Sequence, residues 1–98
     1  MSRDQLYISS ITEFELLTGA TQEHKAFWNF FLERIEILDF DSRAARVSAE
    51  IITLLKPKRK SIDMPDLFIA STAIVNDLTL DTLNKKDFIH IDYLKLLD

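Results

Sequence analysis

Two carboxylates of this chain stand in the first turn of predicted helices, where they could bind a cation. Glu15 follows the apolar run LYISS, and Asp66 follows a basic loop. The residues after a third predicted strand add further oxygen ligands: Thr82, Asn84 and Asp87. If these segments converge, their oxygens form the kind of acidic pocket that a hard divalent cation such as Mg²⁺ or Mn²⁺ occupies. A water molecule beside such a cation becomes a nucleophile, and the cation stabilises charge on a phosphodiester.

Each of the two carboxylates also has a structural interpretation. Glu15 would complete a capping box with Thr12, and Asp66 follows Asp63, which is placed to cap the next helix. Such a cap contributes about 1 kcal/mol. Two carboxylates about 4 Å apart repel by roughly 4 kcal/mol at an effective dielectric constant of 20. Crowding acids at one edge is therefore favourable only if a cation lies between them.

The sequence contains no competing catalytic pattern. Gly19 is the only glycine, which excludes a glycine-rich phosphate loop, and there is no cysteine for a disulfide or a thiolate metal site. His24 and His90 are isolated, as ordinary surface or core histidines are. No apolar run approaches the roughly 18 residues that span a bilayer, and residues 1–5 are too polar for a signal peptide. We therefore expect a cytoplasmic protein that does not contact a membrane.

Alternating strand and helix patterns predict the elements that position the polar residues. The predicted strands are 6–9, 36–40, 78–82 and 88–92, the helices are 12–18, 22–34, 41–55 and 63–76, and single turns lie at 84–87 and 93–98. This order is typical of an α/β fold with a parallel sheet between helices. In such folds the ligand crevice lies beyond the carboxyl ends of the strands. The topology thus directs Glu15, Asp66 and Asn84 to one edge.

Apolar spacing predicts which helix faces are buried. In the helix at 22–34 the predicted stripe leaves out Trp28, which is either half-buried or a contact for a partner. The predicted inward residues are Phe27, Phe30, Phe31 and Ile35 for that helix, Ala45, Ala49, Ile52 and Leu55 for the helix at 41–55, and Ile69, Ala70, Ala73 and Ile74 for the helix at 63–76.

The net charge of −4 hides a basic loop in an acidic chain. Four of the twelve basic residues lie within five positions: Lys56, Lys58, Arg59 and Lys60. The rest of the chain holds 8 basic and 16 acidic residues, which excludes a protein that coats nucleic acid. The loop could still hold a phosphate backbone at one place. The alternative is a solvated loop without a ligand.

Three segments resemble PIN domains, in particular the VapC-type toxins of toxin–antitoxin modules. ISSITEFELLTG resembles the segment of that family that carries an acid after its second strand. PDLFIASTAIVNDLTLDTLNKKDF resembles the family's Asp-x-x-Ile-Ala helix followed by Thr-x-Asn-x-x-Asp-Phe. DFDSRAARVSAEII resembles its Asp-x-x-x-Ala helix, and all three stand in the family's order.

The resemblance implies one PIN-like domain over residues 1–98, with an α/β three-layer sandwich around a short parallel sheet. It implies a metal-dependent ribonuclease in which Mg²⁺ or Mn²⁺ is bound by acidic residues. The implied catalytic set is Glu15, Asp66, Asn84 and Asp87, with Glu15 and Asp66 as the metal ligands. Asp87 could instead only stabilise its own turn. The basic loop is implied to reach RNA phosphates through Lys58, Arg59 and Lys60.

One part of the family pattern is missing from this sequence. PIN domains begin with a strand that ends in Leu-Asp-x-Asn, whose Asp is a central metal ligand, whereas this chain starts near the family's second strand. Asp4 has no such context. The resemblance therefore implies an N-terminally truncated domain with reduced activity. We expect the first and third strands to pair directly, or a neighbouring subunit to fill the gap, because open strand edges invite pairing.

Three interpretations follow from this pattern. The first is a VapC-like metal-dependent endoribonuclease. The second is a non-catalytic module that binds RNA, an antitoxin protein or a second copy of the chain. The third is that Met1 is not the natural start of the working protein.

Overall fold

The structure, a computed structural model, describes residues 6–97 and divides after Asp39 into two compact units. Asp4 and the polar segment 1–5 lie outside the described residues. Each unit combines helices with one short parallel ladder, so the predicted α/β class is confirmed. The predicted single domain over residues 1–98 stays a prediction.

The first unit is a strand–helix–helix–strand arrangement. Strand β1 (Tyr7–Ser9) pairs in parallel with strand β2 (Glu36–Leu38), and Ile8 lies opposite Ile37. Helices α1 (Ser10–Gly19) and α2 (Gln22–Leu32) form the connection between the two strands. Parallel strands need a connection of this length, because a tight turn cannot return the chain in the same direction.

Helix α1 starts earlier than the sequence predicted. Its N-cap is Ser9, whose Oγ accepts a hydrogen bond from the backbone N–H of Thr12 at 3.0 Å. Thr12 is therefore inside the helix, and the predicted capping box between Thr12 and Glu15 is wrong. The reason is local: a serine ends the strand and can cap the helix at once. Gly19 ends α1, as predicted.

The buried face of α2 is rotated by about one residue from the predicted stripe. Phe27 and Phe30 are 59% and 58% exposed, which contradicts their predicted burial, whereas Leu32 is buried. Trp28 is half-buried, as one of the two interpretations expected, and its ring makes edge-on contacts with Phe27 and Phe31. The inward side of α2 thus runs through Trp28, Phe31 and Leu32.

The second unit is built on two packed helices. Helix α3 (Ser42–Leu55) is capped by Asp41, which accepts a hydrogen bond from the backbone N–H of Ala44 at 3.0 Å. Helix α4 (Met64–Val75) carries Pro65 in its first turn. Backbone N–H groups in the first turn have no partner within the helix, so the N–H that proline lacks is not needed there. Both helices agree with the predicted elements to within one or two residues.

The face by which α3 packs was predicted one residue out of register. Its buried residues are Ala44, Ser48, Ile51 and Leu55, so Ala45 and Ala49 are exposed and Ile52 is half-buried. Ala44 and Ala45 are equally apolar, so the spacing of apolar residues could not show which of the two faces is buried. In α4 the predicted Ala70 and Ala73 are buried, whereas Ile69 and Ile74 are half-buried.

The core of the second unit joins α3, α4 and the turns near the C-terminus. Its buried apolar residues are Ile51, Leu55, Leu67, Ala70, Phe88 and Ile91. A buried polar contact crosses the same interface, since the hydroxyl oxygens of Ser48 and Ser71 lie 2.7 Å apart. This contact fixes the register between α3 and α4, because two buried hydroxyls must keep each other as partners.

The last strand lies later in the chain than predicted. After strand β3 (Thr79–Leu80) and a 3-10 helix (Lys85–Asp87), residues 88–92 form turns rather than a strand. Strand β4 (Lys95–Leu96) then pairs in parallel with β3, in the place of the predicted helical turn. Phe88 and Ile91 are buried three residues apart, which is a turn spacing and not the alternation of a strand.

The ladders of the described residues are β1 with β2 and β3 with β4. The first and third strands belong to different units, so their predicted pairing, or a neighbouring subunit in the gap, stays a prediction. None of the helices in residues 6–97 is long and apolar enough to cross a membrane.

Candidate functional site

The first turn of α4 holds Asp66 in an unfavourable electrostatic environment. Its side chain is half-buried. Burial raises the pKa of Asp66 above its ordinary value of 3.8, and the charges of Asp63 and Asp87 raise it further. The fold therefore brings two more carboxylates close enough to Asp66 to repel it. Two of the predicted site residues, Asp66 and Asp87, thus lie together.

Asp63 is a member of this group that the predicted site did not include. The sequence assigned it the role of helix cap. It does stand at the N-cap of α4, but its side chain makes no capping hydrogen bond. Its carboxylate instead acts on Asp66. The signal in the sequence was the Asp-x-x-Asp spacing, which places the two side chains on one face of the first helical turn.

Asn84 precedes the short 3-10 helix, and Asp87 is the last residue of that helix. Asn84 is exposed, and its backbone N–H donates to the hydroxyl of Thr82 at 3.1 Å. The backbone N–H of Asp87 donates to the carbonyl of Asn84 at 2.9 Å, which closes the turn. The turn is thus held by its backbone, and the carboxylate of Asp87 remains able to act on Asp66. The catalytic roles of Asn84 and Asp87 stay predictions.

Glu15 lies on the exposed side of α1, in the first unit. Its carbonyl accepts a hydrogen bond from the hydroxyl of Thr18 at 3.2 Å. Since Glu15 and Asp66 belong to different units, their predicted convergence and their shared role as metal ligands stay predictions.

The acidic group is suited in type, although not in number, to a divalent cation. Carboxylate oxygens are the ligands that Mg²⁺ and Mn²⁺ prefer, and the like charges around Asp66 are those that a cation would neutralise. Within residues 6–97, however, no three histidine, aspartate or glutamate side chains are grouped so that they could hold a metal ion. Asp66 and its neighbours therefore do not by themselves form a metal site, and the predicted metal ligands stay predictions.

The basic loop after α3 has a defined backbone. The N–H of Lys60 donates to the carbonyl of Leu55 at 3.2 Å, and the N–H of Arg59 donates to that of Lys56 at 3.1 Å. These two bonds are those of a Schellman motif, which places Arg59 at the position usually taken by glycine. Arg59 accordingly has a left-handed φ of 54°. The loop thus presents Lys58, Arg59 and Lys60 to solvent on a fixed turn.

The same helix ending occurs after α4, with another charged residue in the left-handed position. The N–H of Leu78 donates to the carbonyl of Ala73 at 2.9 Å, and Asp77 has a φ of 54°. Asp77 accepts a hydrogen bond of 2.6 Å from Nζ of Lys95, and this bond lowers the pKa of Asp77. Asp77 is thus paired with the oppositely charged Lys95 of β4, whereas the neighbours of Arg59 in its loop, Lys58 and Lys60, carry the same charge as Arg59.

Comparison with known proteins places this geometry in a family. The model of the PIN domain family matches residues 1–93. The chain is 39% identical over 94 residues to ribonuclease VapC2 of Rickettsia felis, a match that covers 91% of this chain and 70% of that protein. It is 37% identical over 102 residues to ribonuclease VapC of Rickettsia bellii, covering 96% of this chain and 76% of that protein.

Solved structures show the same fold. The structure of VapBC-1 from nontypeable Haemophilus influenzae superposes with a TM-score of 0.88 at 27% identity, covering 100% of this chain and 77% of that one. VapBC-5 from Mycobacterium tuberculosis, described as a member of the VapBC family of toxin–antitoxin systems, superposes with a TM-score of 0.74 at 27% identity. That match covers 91% of this chain and 78% of the other. This chain therefore belongs to the PIN domain family, with VapC ribonucleases among its relatives.

Proposed function

We propose that this chain is a metal-dependent endoribonuclease of the VapC type, with Asp66 at the centre of its site. The observation that supports the proposal is the environment of Asp66: burial raises the pKa of its carboxyl, and the crowding charges of Asp63 and Asp87 raise it further. Such crowding destabilises a fold unless a positive charge is bound there. A site that keeps this arrangement is suited to a cation and to the phosphodiester that the cation would polarise.

The residues of this chain divide into four roles in the proposal. Asp66 and Glu15 hold Mg²⁺ or Mn²⁺, and Asp63 and Asp87 add negative charge beside Asp66. A bound cation supplies stabilisation of the charge that develops on the phosphodiester. Asn84 offers an exposed amide that can orient the RNA or a water molecule at the end of the strand. The exposed cations of the basic loop bind RNA phosphates.

A second candidate function is a binding module without catalysis, and a specific feature of the first unit favours it. Phe14, Phe27 and Phe30 are all more than half exposed, which is unusual for large apolar side chains. The guanidinium carbon of Arg34 lies 3.4 Å from the centre of the Phe30 ring, so this ring also carries a cation. An antitoxin helix or a second copy of the chain could cover these residues.

The predicted cytoplasmic location stays a prediction.

Cleavage of labelled RNA separates these functions. We expect cleavage with Mg²⁺ or Mn²⁺, loss of cleavage with EDTA, and strong loss in Glu15→Gln and Asp66→Asn. Asp81→Asn is the matched control, because Asp81 is also exposed and is not among the charges that act on Asp66. Cleavage unchanged by both site substitutions would refute the assigned site. RNA binding without any cleavage would favour the binding module.

A further inference from the structure

A shallow groove lies on the second unit, between the end of α3 and the turns that follow the 3-10 helix. Its floor is apolar and buried, and consists of Ile51, Leu55 and Ile91. About 240 Å³ of space lies over this floor, and this volume includes open solvent. The groove is therefore a shallow surface on which one planar ring can lie, rather than a cavity that encloses a ligand.

The rim of the groove carries an aromatic ring and a cation. Tyr93 is 70% exposed and Leu54 is 50% exposed, although both border an apolar floor. His90 and Lys58 complete the rim, and both are exposed. Exposed aromatic faces stack nucleobases, and this stacking is tolerant of sequence because every base has a π-face. An apolar floor with aromatic edges and a neighbouring cation is the chemistry that recognises a base and its phosphate.

Charge determines which kind of ligand this groove can take. Lys58 belongs to the basic loop, so the groove opens beside the densest positive charge of an acidic chain. In the structure Nζ of Lys58 lies 3.5 Å from a carboxylate oxygen of Asp92, also on the rim. Both side chains are well exposed, so this ion pair contributes little and a phosphate can replace the carboxylate. The groove is complementary to an anion that carries an aromatic group.

The groove and the acidic site are close to each other in sequence. His90 follows Asp87 by three residues, so their Cα atoms are at most about 11 Å apart. Lys60 precedes Asp63 by three residues on the other side. A strand of RNA held at Asp66 can therefore place a neighbouring nucleotide in the groove.

We propose that the groove between Tyr93, His90 and Lys58 binds a nucleobase of single-stranded RNA, with the basic loop on the adjacent phosphates. The inference rests on the proposed function, because it assigns a substrate contact to the same site. It adds a base contact away from the acidic residues.

The test is the affinity for a fluorescein-labelled oligouridylate, measured by fluorescence anisotropy in EDTA so that cleavage cannot occur. We expect Tyr93→Ala and Tyr93→Leu to weaken binding about 5- to 150-fold, since each removes a stacking face. Tyr93→Phe should bind as the wild type does. Leu6→Ala is the control, because Leu6 is an apolar side chain with 59% exposure that lies outside the groove and outside the exposed phenylalanines.

For a second variant we expect the affinity for RNA to increase rather than decrease. Asp92→Asn removes the negative charge from the rim and frees Lys58, so RNA should bind more tightly than to the wild type. A purely structural role of the Lys58–Asp92 pair would not tighten binding. An abasic ribose-phosphate oligomer should bind the wild type and Tyr93→Ala equally, because it has no base to stack.

The outcomes separate this inference from the proposed function. Wild-type affinity in both Tyr93→Ala and Tyr93→Leu overturns the groove, and cleavage that is still lost in Asp66→Asn then leaves the proposed function standing. A wild-type protein that does not bind the oligouridylate in EDTA overturns the groove, whereas the proposed function is tested separately by cleavage of RNA with Mn²⁺. The thermal unfolding midpoint of each folded variant identifies any loss of binding that comes from unfolding, and Tyr93→Leu retains apolar cover for the floor if Tyr93→Ala does not fold.

Discussion

Arg59 should be a position at which glycine is more stable than alanine, in contrast to its helical neighbour Lys56. Arg59 has a φ of 54°, at the end of a Schellman motif. Lys56, three residues earlier, has helical angles of −54° and −51°. Comparing Gly with Ala at each position removes the original charge in both variants, so the difference reports the backbone alone.

The expected magnitudes follow from these angles. A residue with a Cβ in the left-handed region loses roughly 1–2 kcal/mol, a cost that glycine avoids. In right-handed helix geometry glycine is instead about 1 kcal/mol less favourable than alanine. Arg59→Gly should therefore exceed Arg59→Ala in unfolding free energy by about 1 kcal/mol, and Lys56→Gly should fall below Lys56→Ala by about as much.

Thermal and urea unfolding of the four variants measure this difference. For a protein of this size about 1 kcal/mol corresponds to about 4–8 °C in the unfolding midpoint. If Arg59→Ala were as stable as Arg59→Gly, the left-handed turn and the fixed loop geometry would be wrong. If the Gly variant is the more stable one at position 59 and the Ala variant the more stable one at position 56, as expected, Arg59 occupies a strained position. Such strain favours a function for the charge of Arg59.

Three further predictions concern the acidic group and the helix interface. Asp66→Asn should raise the unfolding midpoint at pH 7. Because the pKa of Asp66 is raised in the folded protein, protonation of Asp66 stabilises the fold fully below the ordinary pKa of 3.8, and this stabilisation is lost as the pH rises through the raised pKa. Asparagine is neutral at every pH and so keeps the stabilisation at pH 7. The gain should vanish in acid, and a variant less stable than the wild type at pH 7 would contradict the crowding. Mn²⁺ should raise the midpoint of the wild type and not that of Asp66→Asn, as differential scanning fluorimetry can show, and equal shifts would place the cation elsewhere. Ser48→Ala should cost about 1–3 kcal/mol in urea unfolding because the hydroxyl of Ser71 loses its partner, and adding Ser71→Ala should cost less than the sum of the single effects.

Local signals in the sequence predicted the elements that they mark. Asp41 before an amphipathic run and Pro65 in a first turn defined the starts of α3 and α4 to within one or two residues. Both signals act through the backbone within one helical turn, so no tertiary information is needed. The α/β class followed from the order of these elements.

Features that depend on packing could not be predicted in the same way. The face of α3 was misplaced by one residue because Ala44 and Ala45 are equally apolar. Tertiary contacts of the buried face, such as that between Ser48 and Ser71, select Ala44. Residues 88–92 read as a strand because apolar residues recur there, yet Phe88 and Ile91 are buried from a series of turns.

The sequence predicted only part of the candidate site, because the approach of distant residues to one another also depends on packing. The rule that ligands gather beyond strand ends directed Glu15, Asp66 and Asn84 to one edge, and this convergence stays a prediction. The structure adds an electrostatic interaction between Asp87 and Asp66. Asp63 was missed because its sequence position has a sufficient structural role as a cap. Only the structure shows that its side chain makes no capping bond.

Asp66 in the proposed function belongs to a site that cleaves RNA with a divalent cation. The most direct test is the cleavage rate of a labelled RNA in Mn²⁺ by Asp66→Asn and by the control Asp81→Asn, with both folded proteins at equal concentration. We expect Asp81→Asn to cleave like the wild type, and Asp66→Asn to lose nearly all activity although it remains folded. Equal cleavage by the two variants would contradict this role of Asp66.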